Sequence, residues 1–424
     1  MGSRTWKHSS LIGAAALWLV ALQALAWENW PNWRGPGLNG VASGTGFPTE
    51  WGPTRNVLWK LPLPGRGAST PVVWGDTIVL TFGAEDENFV VAIDRKGNEK
   101  FRTAVGKESP GKHKKGTGSN PSAVIDGERI YVYFKSGDFA ALDLKGKILW
   151  HHNLQQLYGE DTLWWDLGTS PVLTSGAVVV TCMQSGPSYL AAFDRATGKQ
   201  LWKVDRNLNA PEEAAQSYST PVVVRDGDNE LIYVLGADHI TAHLARDGKE
   251  LWRVGDLNPK QDRFFRSIAS PVASGDLLIA PYARGQVLLG VKTGGSGDVT
   301  RSHVVWQREG VSADVPTPAA QNGRVYVCTD RGEVACLDAA SGKTIWSGNP
   351  EPNRNAYSAS PILADGKVYV TREDGKTFVL AQGDTFKVLA ANALEGEFVV
   401  ATPVFLDGRI FIRTMENLYC IGEK

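Results

Sequence analysis

Cysteine is scarce in this sequence: four in 424 residues, with none before Cys182. The thiol that a bacterial lipid anchor needs just behind an export signal is missing, so no lipid anchor is expected. An excess of either charge is lacking too, because 44 Lys and Arg stand against 45 Asp and Glu for a formal net charge of −1. The chain as a whole therefore carries no electrostatic footprint for nucleic acid or for an anionic membrane. After residue 26 no apolar run approaches the roughly 20 residues that cross a bilayer, so no membrane span is expected. Helical patterns are few. HExxH, Gly-x-Ser-x-Gly and phosphate-loop motifs are absent, and no metal site is expected.

The first 26 residues are a separate message. Arg4 and Lys7 precede an apolar stretch from Leu11 to Leu22, and Ala24-Leu25-Ala26 makes a small-residue cleavage site. This pattern predicts a signal peptide over residues 1–26 and a periplasmic or secreted protein. Loss of Arg4 and Lys7 takes the formal charge from −1 to −3. Cys328 and Cys336 lie on either side of a turn at Arg331-Gly332 and are expected to face each other on adjacent antiparallel strands. That placement leaves open a disulfide or two small apolar residues, whereas Cys182 and Cys420 find no partner.

Hydrophobic residues at 42% and 46 Gly describe a folded, turn-rich chain. Eight Pro residues, Pro71, Pro121, Pro171, Pro221, Pro271, Pro318, Pro361 and Pro403, each open a short apolar run. A repeat of about 40–50 residues is thus expected eight times over. Each unit reads as four short strands rich in Val, Ile, Leu and Tyr, separated by Gly and Asp turns, as in Val222–Val224, Leu231–Leu235, Thr241–Leu244 and Gly248–Trp252.

The more specific signature is Ala-x-Asp-x-x-x-Gly-x-x-x-Trp, whole in Ala192, Asp194, Gly198 and Trp202, and assigned to the fourth strand. Asp94, Asp143, Asp194 and Asp338 read as turn residues. Trp59, Trp150, Trp202, Trp252, Trp306 and Trp346 read as docking groups between neighbouring units. The last unit stops one strand short, and Val57–Leu61, carrying Trp59, is placed to complete it. The expected fold is an all-β, eight-bladed β-propeller of four-stranded antiparallel blades, closed by an N-terminal strand that completes the last blade. Residues 57–424 form the ring, and residues 27–56, rich in Trp, Pro and Gly, pack on it.

The Trp-docking repeat, over nearly the whole chain after residue 26, resembles that of the pyrroloquinoline quinone (PQQ)-like propellers. The opening Trp30-Pro31-Asn32-Trp33-Arg34-Gly35-Pro36 is similar to leaders of exported bacterial members. That superfamily includes quinoprotein alcohol dehydrogenases, which bind PQQ and calcium in the funnel of the ring. It also includes BamB-like propellers, which use the repeat as a binding platform.

In such a ring, the loops from the outer strand of one blade to the inner strand of the next end beside the central channel. Here they supply the ligand-binding candidates Arg66, Lys115, Trp164, Trp165, Gln216, Tyr218, Arg263, Arg266, Arg354 and Tyr357, with Asp166 and Asp314 as candidate bases. His239 and His243 have the spacing of a helical metal pair but fall in a strand and turn, where that spacing does not converge. With no catalytic constellation in view, the first reading is a non-catalytic binding or scaffold protein of the cell envelope, without a cofactor. Its partner is an envelope protein or an extracellular polymer. The alternative implied by the resemblance is a PQQ- and calcium-dependent alcohol or polyvinyl-alcohol-type dehydrogenase.

Overall fold

The computed structural model describes Gly2 and residues 28–423, so the expected signal peptide lies outside the described residues apart from Gly2. Val72–Trp74, Thr77–Ala84, Glu87–Asp94 and Glu99–Lys107 pair in chain order, each with its predecessor. Short turns between Val- and Ile-rich segments make the preceding strand the nearest partner, and antiparallel pairing follows. The same meander recurs in sheets whose inner strands begin at Val124, Val172, Val222, Val272, Ala319, Ile362 and Val404, giving blades 1 to 8. Middle strands such as Thr77–Ala84 are buried almost throughout because each blade packs against two neighbours.

Blade 8 contains Val404–Leu406, Arg409–Arg413 and Asn417–Ile421, and takes its outer strand from Val57–Pro62. Trp59 pairs with Cys420 and Leu61 with Leu418, so the two ends of the ring share one sheet.

The Pro beat needs one correction. Seven of the eight Pro stand directly before an inner strand, whereas blade 2 has Ala123 there and Pro121 two residues earlier. Ala123 lies 52 residues after Pro71 and 48 before Pro171, so the even interval of 50 conceals one longer and one shorter unit. A ring of hydrogen bonds fixes the equivalence. The backbone N–H groups of Thr70, Ser122, Ser170, Thr220, Ser270, Thr317 and Ser360 each donate to the hydroxyl of the next blade's residue, at 2.8–3.1 Å. The last acceptor is Thr402, whose own N–H returns to Thr70 Oγ1 at 3.1 Å. These residues precede strands and have no ladder partner of their own, so the hydroxyls satisfy N–H groups that burial would otherwise leave unpaired.

The Trp signature straddles two strands rather than lying in the fourth. In blade 3, Ala192 and Asp194 end the third strand, Gly198 makes the turn, and Trp202 sits on the outer strand Gln200–Asp205. Five of the six docking Trp reach the equivalent turn of the next blade. Nε1 of Trp59, Trp150, Trp202, Trp306 and Trp346 donates to the carbonyls of Arg95, Arg195, Ala245, Ala339 and Gly383, at 2.8–3.1 Å. Gly248 shows why the turn needs glycine: φ is +74°, and a Cβ would come 2.6 Å from Trp202 Cε3.

Trp252 departs from this pattern, because the corresponding turn of blade 5 is expanded and its Nε1 finds no acceptor. Gly297–Asp298 from that expanded turn instead pairs in parallel with Trp252 and Arg253, as a fifth strand on blade 4. Trp150→Phe is therefore expected to cost about 1 kcal/mol more than Trp252→Phe, since only the former abandons a carbonyl. Urea unfolding of the two variants checks the difference.

Cys328 pairs with Val334 and Cys336 with Tyr326, so the two cysteines are diagonal neighbours rather than the directly facing pair expected. All four cysteines are free thiols. Burial raises each of them, Cys182 and Cys420 to about 12.

The segment ahead of the ring crosses one face. Trp30 exchanges two 2.8 Å backbone bonds with Val73 of blade 1, and Pro31 O accepts from Ile125 N of blade 2. Asn39 O then accepts from Ala320 N of blade 6, and Leu363 of blade 7 bonds Gly40 and Ala42. Blades 2 and 6 are opposite one another in a ring of eight, so residues 32–38 run across the channel. Arg34 is fully buried there and donates to Pro318 O at 2.7 Å and Pro361 O at 3.1 Å. Desolvation without a carboxylate partner lowers its pKa to about 9.

Candidate functional site

Turns in a four-stranded meander alternate between the two ends of a blade. The N-terminal segment covers the end that carries the first turns, at Gly75, Asp365 and Asp407, and the third turns, at Arg95, which donates to Glu28 O at 2.9 Å. At the opposite end, the connecting loops and the hairpins between second and third strands surround a recess of about 460 Å³. Trp33 reaches this recess from the far face, and the hydroxyl residues Thr70, Ser122, Ser170, Thr220 and Thr402 line it.

Six of the twelve candidates drawn from the sequence meet in this recess: Lys115, Trp165, Asp166, Tyr218, Arg266 and Asp314. The other six do not line it. Gln216 is buried and accepts from Trp164 N at 2.9 Å, while Trp164 itself is exposed. Tyr357 is buried, with Gly332 so close that a Cβ there would lie 2.6 Å from the ring. Arg66 lines a separate recess with Lys114 and Glu397. Arg263 is exposed, 3.6 Å from Glu212 and stacked on Phe264, and Arg354 is exposed.

The charged groups that meet are already paired. Asp166 accepts Lys135 Nζ at 2.8 Å, with both side chains 4% exposed, and both of its oxygens receive Lys112 N–H at 2.9 Å. Arg266 donates to Asp314 at 2.8 Å and to Glu213 at 3.1 Å, and Glu213 also accepts Trp165 Nε1 at 2.8 Å. Lys115 lies 2.5 Å from Glu373. Burial holds the Asp314 carboxyl above the usual carboxylate range, Arg266 pulls it down, and Asp330 adds to the rise. Asp330 in turn accepts the N–H groups of Asp314 and Val315, at 2.7 and 3.1 Å. A general base needs an accessible lone pair: Asp166 spends its oxygens on Lys135 and Lys112, whereas Asp314 gives Oδ2 to Arg266 and keeps Oδ1 buried without a partner.

Reading the residues that precede each Pro finds only half of this constellation. Lys135, Asp330 and Glu373 come from the hairpins between second and third strands, which share the loop-bearing end. Their signal was the meander itself, because that hairpin and the blade-to-blade connection must fall on one face. Trp33 comes from the opposite side and carries no such positional signal.

The two histidines share the strand His239–Leu244. His243 is buried in a chain in which Arg206 Nε donates to Thr241 Oγ1 at 2.8 Å, His243 Nε2 meets the same hydroxyl at 2.9 Å, and Nδ1 lies 3.0 Å from Gly248 O. The carbonyl requires a proton on Nδ1, so Nε2 accepts from Thr241 and the ring is neutral. Burial lowers its pKa to about 4, opposed by the Gly248 bond and reinforced by the Arg206 charge. The unfolded chain therefore binds the extra proton first. Stability is full above about pH 6.5 and falls as pH drops toward 4, by about 3 kcal/mol from this group. Urea midpoints at pH 7 and pH 4.5 should show that loss, and it should shrink in His243→Gln.

The donor set does not fit a calcium-bound quinone. Among the described residues no three His, Cys, Asp or Glu side chains group to hold a metal, and each cation on the wall is committed to a carboxylate. Among the described residues no helix is long and apolar enough to cross a membrane.

Ring, repeat and recess define an eight-bladed propeller of the PQQ-like class. The chain belongs to the family described as outer membrane protein assembly factor BamB, whose family model matches residues 41–213, 160–300 and 296–389. A relative named outer membrane protein assembly factor BamB, from Burkholderia pseudomallei (strain K96243), is 25% identical over 370 residues. The match covers 83% of this chain and 87% of that protein. Among solved structures, a europium-containing methanol dehydrogenase superposes with TM-score 0.72 at 12% identity, covering 93% of this chain and 98% of its own. BamB from Moraxella catarrhalis superposes with TM-score 0.62 at 14% identity, covering 87% and 99%. At these identities the two structures share the fold.

Proposed function

We propose that this chain is a non-catalytic binding scaffold of the bacterial cell envelope that engages a protein partner through its loop-bearing face. One observation carries the reading: the cations named in the recess, Lys115, Lys135 and Arg266, are each held by carboxylates, while Trp164 and Phe264 stand exposed on the loops before blades 3 and 5. A rigid rim with exposed aromatics suits docking, since such side chains dominate interface energetics. The relatives named as outer membrane protein assembly factors supply the partner class, an envelope protein of that assembly process. Within this reading residues 1–26 direct export to the periplasm, residues 27–56 strap the far face, and residues 57–424 form the binding ring.

Photo-crosslinking residues at positions 164 and 264, with position 201 on the outer strand of blade 3 as comparison, test it in intact envelopes. Adducts with an outer-membrane assembly protein from 164 and 264, but not from 201, are expected. Saturable binding of PQQ with calcium, together with alcohol-dependent reduction of an artificial electron acceptor, would overturn it in favour of the dehydrogenase.

A further inference from the structure

The inside of the recess has a chemistry that the outer rim does not share. We propose that it binds one unit of a neutral saccharide. Its volume of about 460 Å³ falls in the range of small-molecule sites, about 300–1,000 Å³. Two indoles line it, Trp33 and Trp165, and His113 stands edge-on to Trp165 with ring centroids 6.0 Å apart. Flat apolar faces of this kind suit the C–H face of a sugar ring.

The hydroxyl ring supplies the polar complement. In Thr70, Ser122, Ser170, Thr220 and Thr402 the hydroxyl oxygen accepts an N–H from the preceding blade, and none of the five donates to a protein acceptor among the described residues. A row of O–H donors faces the recess and calls for a ligand with several acceptor oxygens. An apolar ligand would bury those donors unpaired, at a cost on each.

The wall charges argue against an anion. Lys115 and Arg266 already hold carboxylate partners, so an anion finds no free cation, while Asp314 Oδ1 is buried without a partner and calls for a hydrogen-bond donor. A polyol meets both needs, because one hydroxyl can donate to Asp314 Oδ1 while others accept from the Ser and Thr hydroxyls. This inference uses the inner wall and stands whether or not a protein docks on the rim.

Titration of the full chain with maltotriose, chitotriose and N-acetylglucosamine, read by calorimetry and by saturation transfer to the sugar ring protons, tests it. Choline and citrate serve as cationic and anionic comparisons. At least one neutral sugar should saturate in the millimolar range or tighter, with affinity changing less than about twofold between low and high salt. Trp165→Ala should weaken it about tenfold or more, Trp165→Phe should retain most of it, and Leu201→Ala should leave it unchanged. The inference is overturned if none of the three sugars saturates, if citrate or choline binds most tightly, or if both Trp165 variants bind as the unaltered chain does.

Discussion

Lys135→Met is expected to destabilise the protein by about 3–5 kcal/mol, a large loss for a substitution that preserves volume. The methionine fills the space of the lysine stem but leaves Asp166, 4% exposed, as a buried carboxylate. Its remaining donors are the Lys112 N–H contacts, and Pro110 O also loses the 2.6 Å bond it receives from Lys135 Nζ. The damage falls on the loop-bearing face, because Asp166 ties the loop before blade 2 to the loop that carries Trp164 and Trp165. Urea unfolding should show a lower midpoint, and crosslinking from position 164 should become less selective. The double variant Lys135→Met with Asp166→Leu should recover most of the stability, since removing both charges removes the uncompensated one. A cost below about 1 kcal/mol for Lys135→Met alone would mean that water reaches and compensates the Asp166 carboxylate, which would then be free to act as a base.

This pair also shows why the scaffold was legible in the sequence while its site was only half so. The inner strands come from a short-range pattern that recurs eight times, and the Trp-bearing outer strands, with the closure by Trp59, from one that recurs six times, each copy reporting on the same packing problem. Pro121 is the one place where the beat misled: a proline two residues early is invisible to a count of prolines, whereas Ser122 holds its place in the hydroxyl ring. The candidates at the channel mouth came from one class of loop, so Asp166 appeared and Lys135, 31 residues earlier on a hairpin tip, did not. Asp166 consequently read as a free carboxylate. Pairing across blades is set by the angular spacing of the ring, which residue spacing within one repeat does not encode. For the same reason, Cys328 and Cys336 were expected to face each other, but a turn of fixed length gives their order along the strands and not the register, which offsets them by two residues.

Trp150→Ala is expected to cost about 3–5 kcal/mol, and its coupling to Gly198 is the sharper measurement. Trp150 is buried between blades 2 and 3, with ring centroids 5.1 Å from Phe139 and 6.1 Å from Tyr131, and it donates Nε1–H to Arg195 O at 3.1 Å. Truncation opens a cavity of indole size and strands that carbonyl. Gly198, on the facing turn of blade 3, has φ of +70°, and a Cβ there would lie 2.6 Å from Trp150 Cδ2. Gly198→Ala alone therefore carries two costs, about 1 kcal/mol for the left-handed backbone and a further steric cost against the indole. In the Trp150→Ala background the steric cost disappears, because the new methyl enters the vacated space. The double variant should thus be more stable than the sum of the singles predicts, by about 1 kcal/mol or more in a urea double-mutant cycle. Strict additivity would mean that the turn moves away from the indole when Gly198 is replaced. The docking of Trp on Gly would then be a contact the ring tolerates losing, rather than the joint that sets the spacing of its blades.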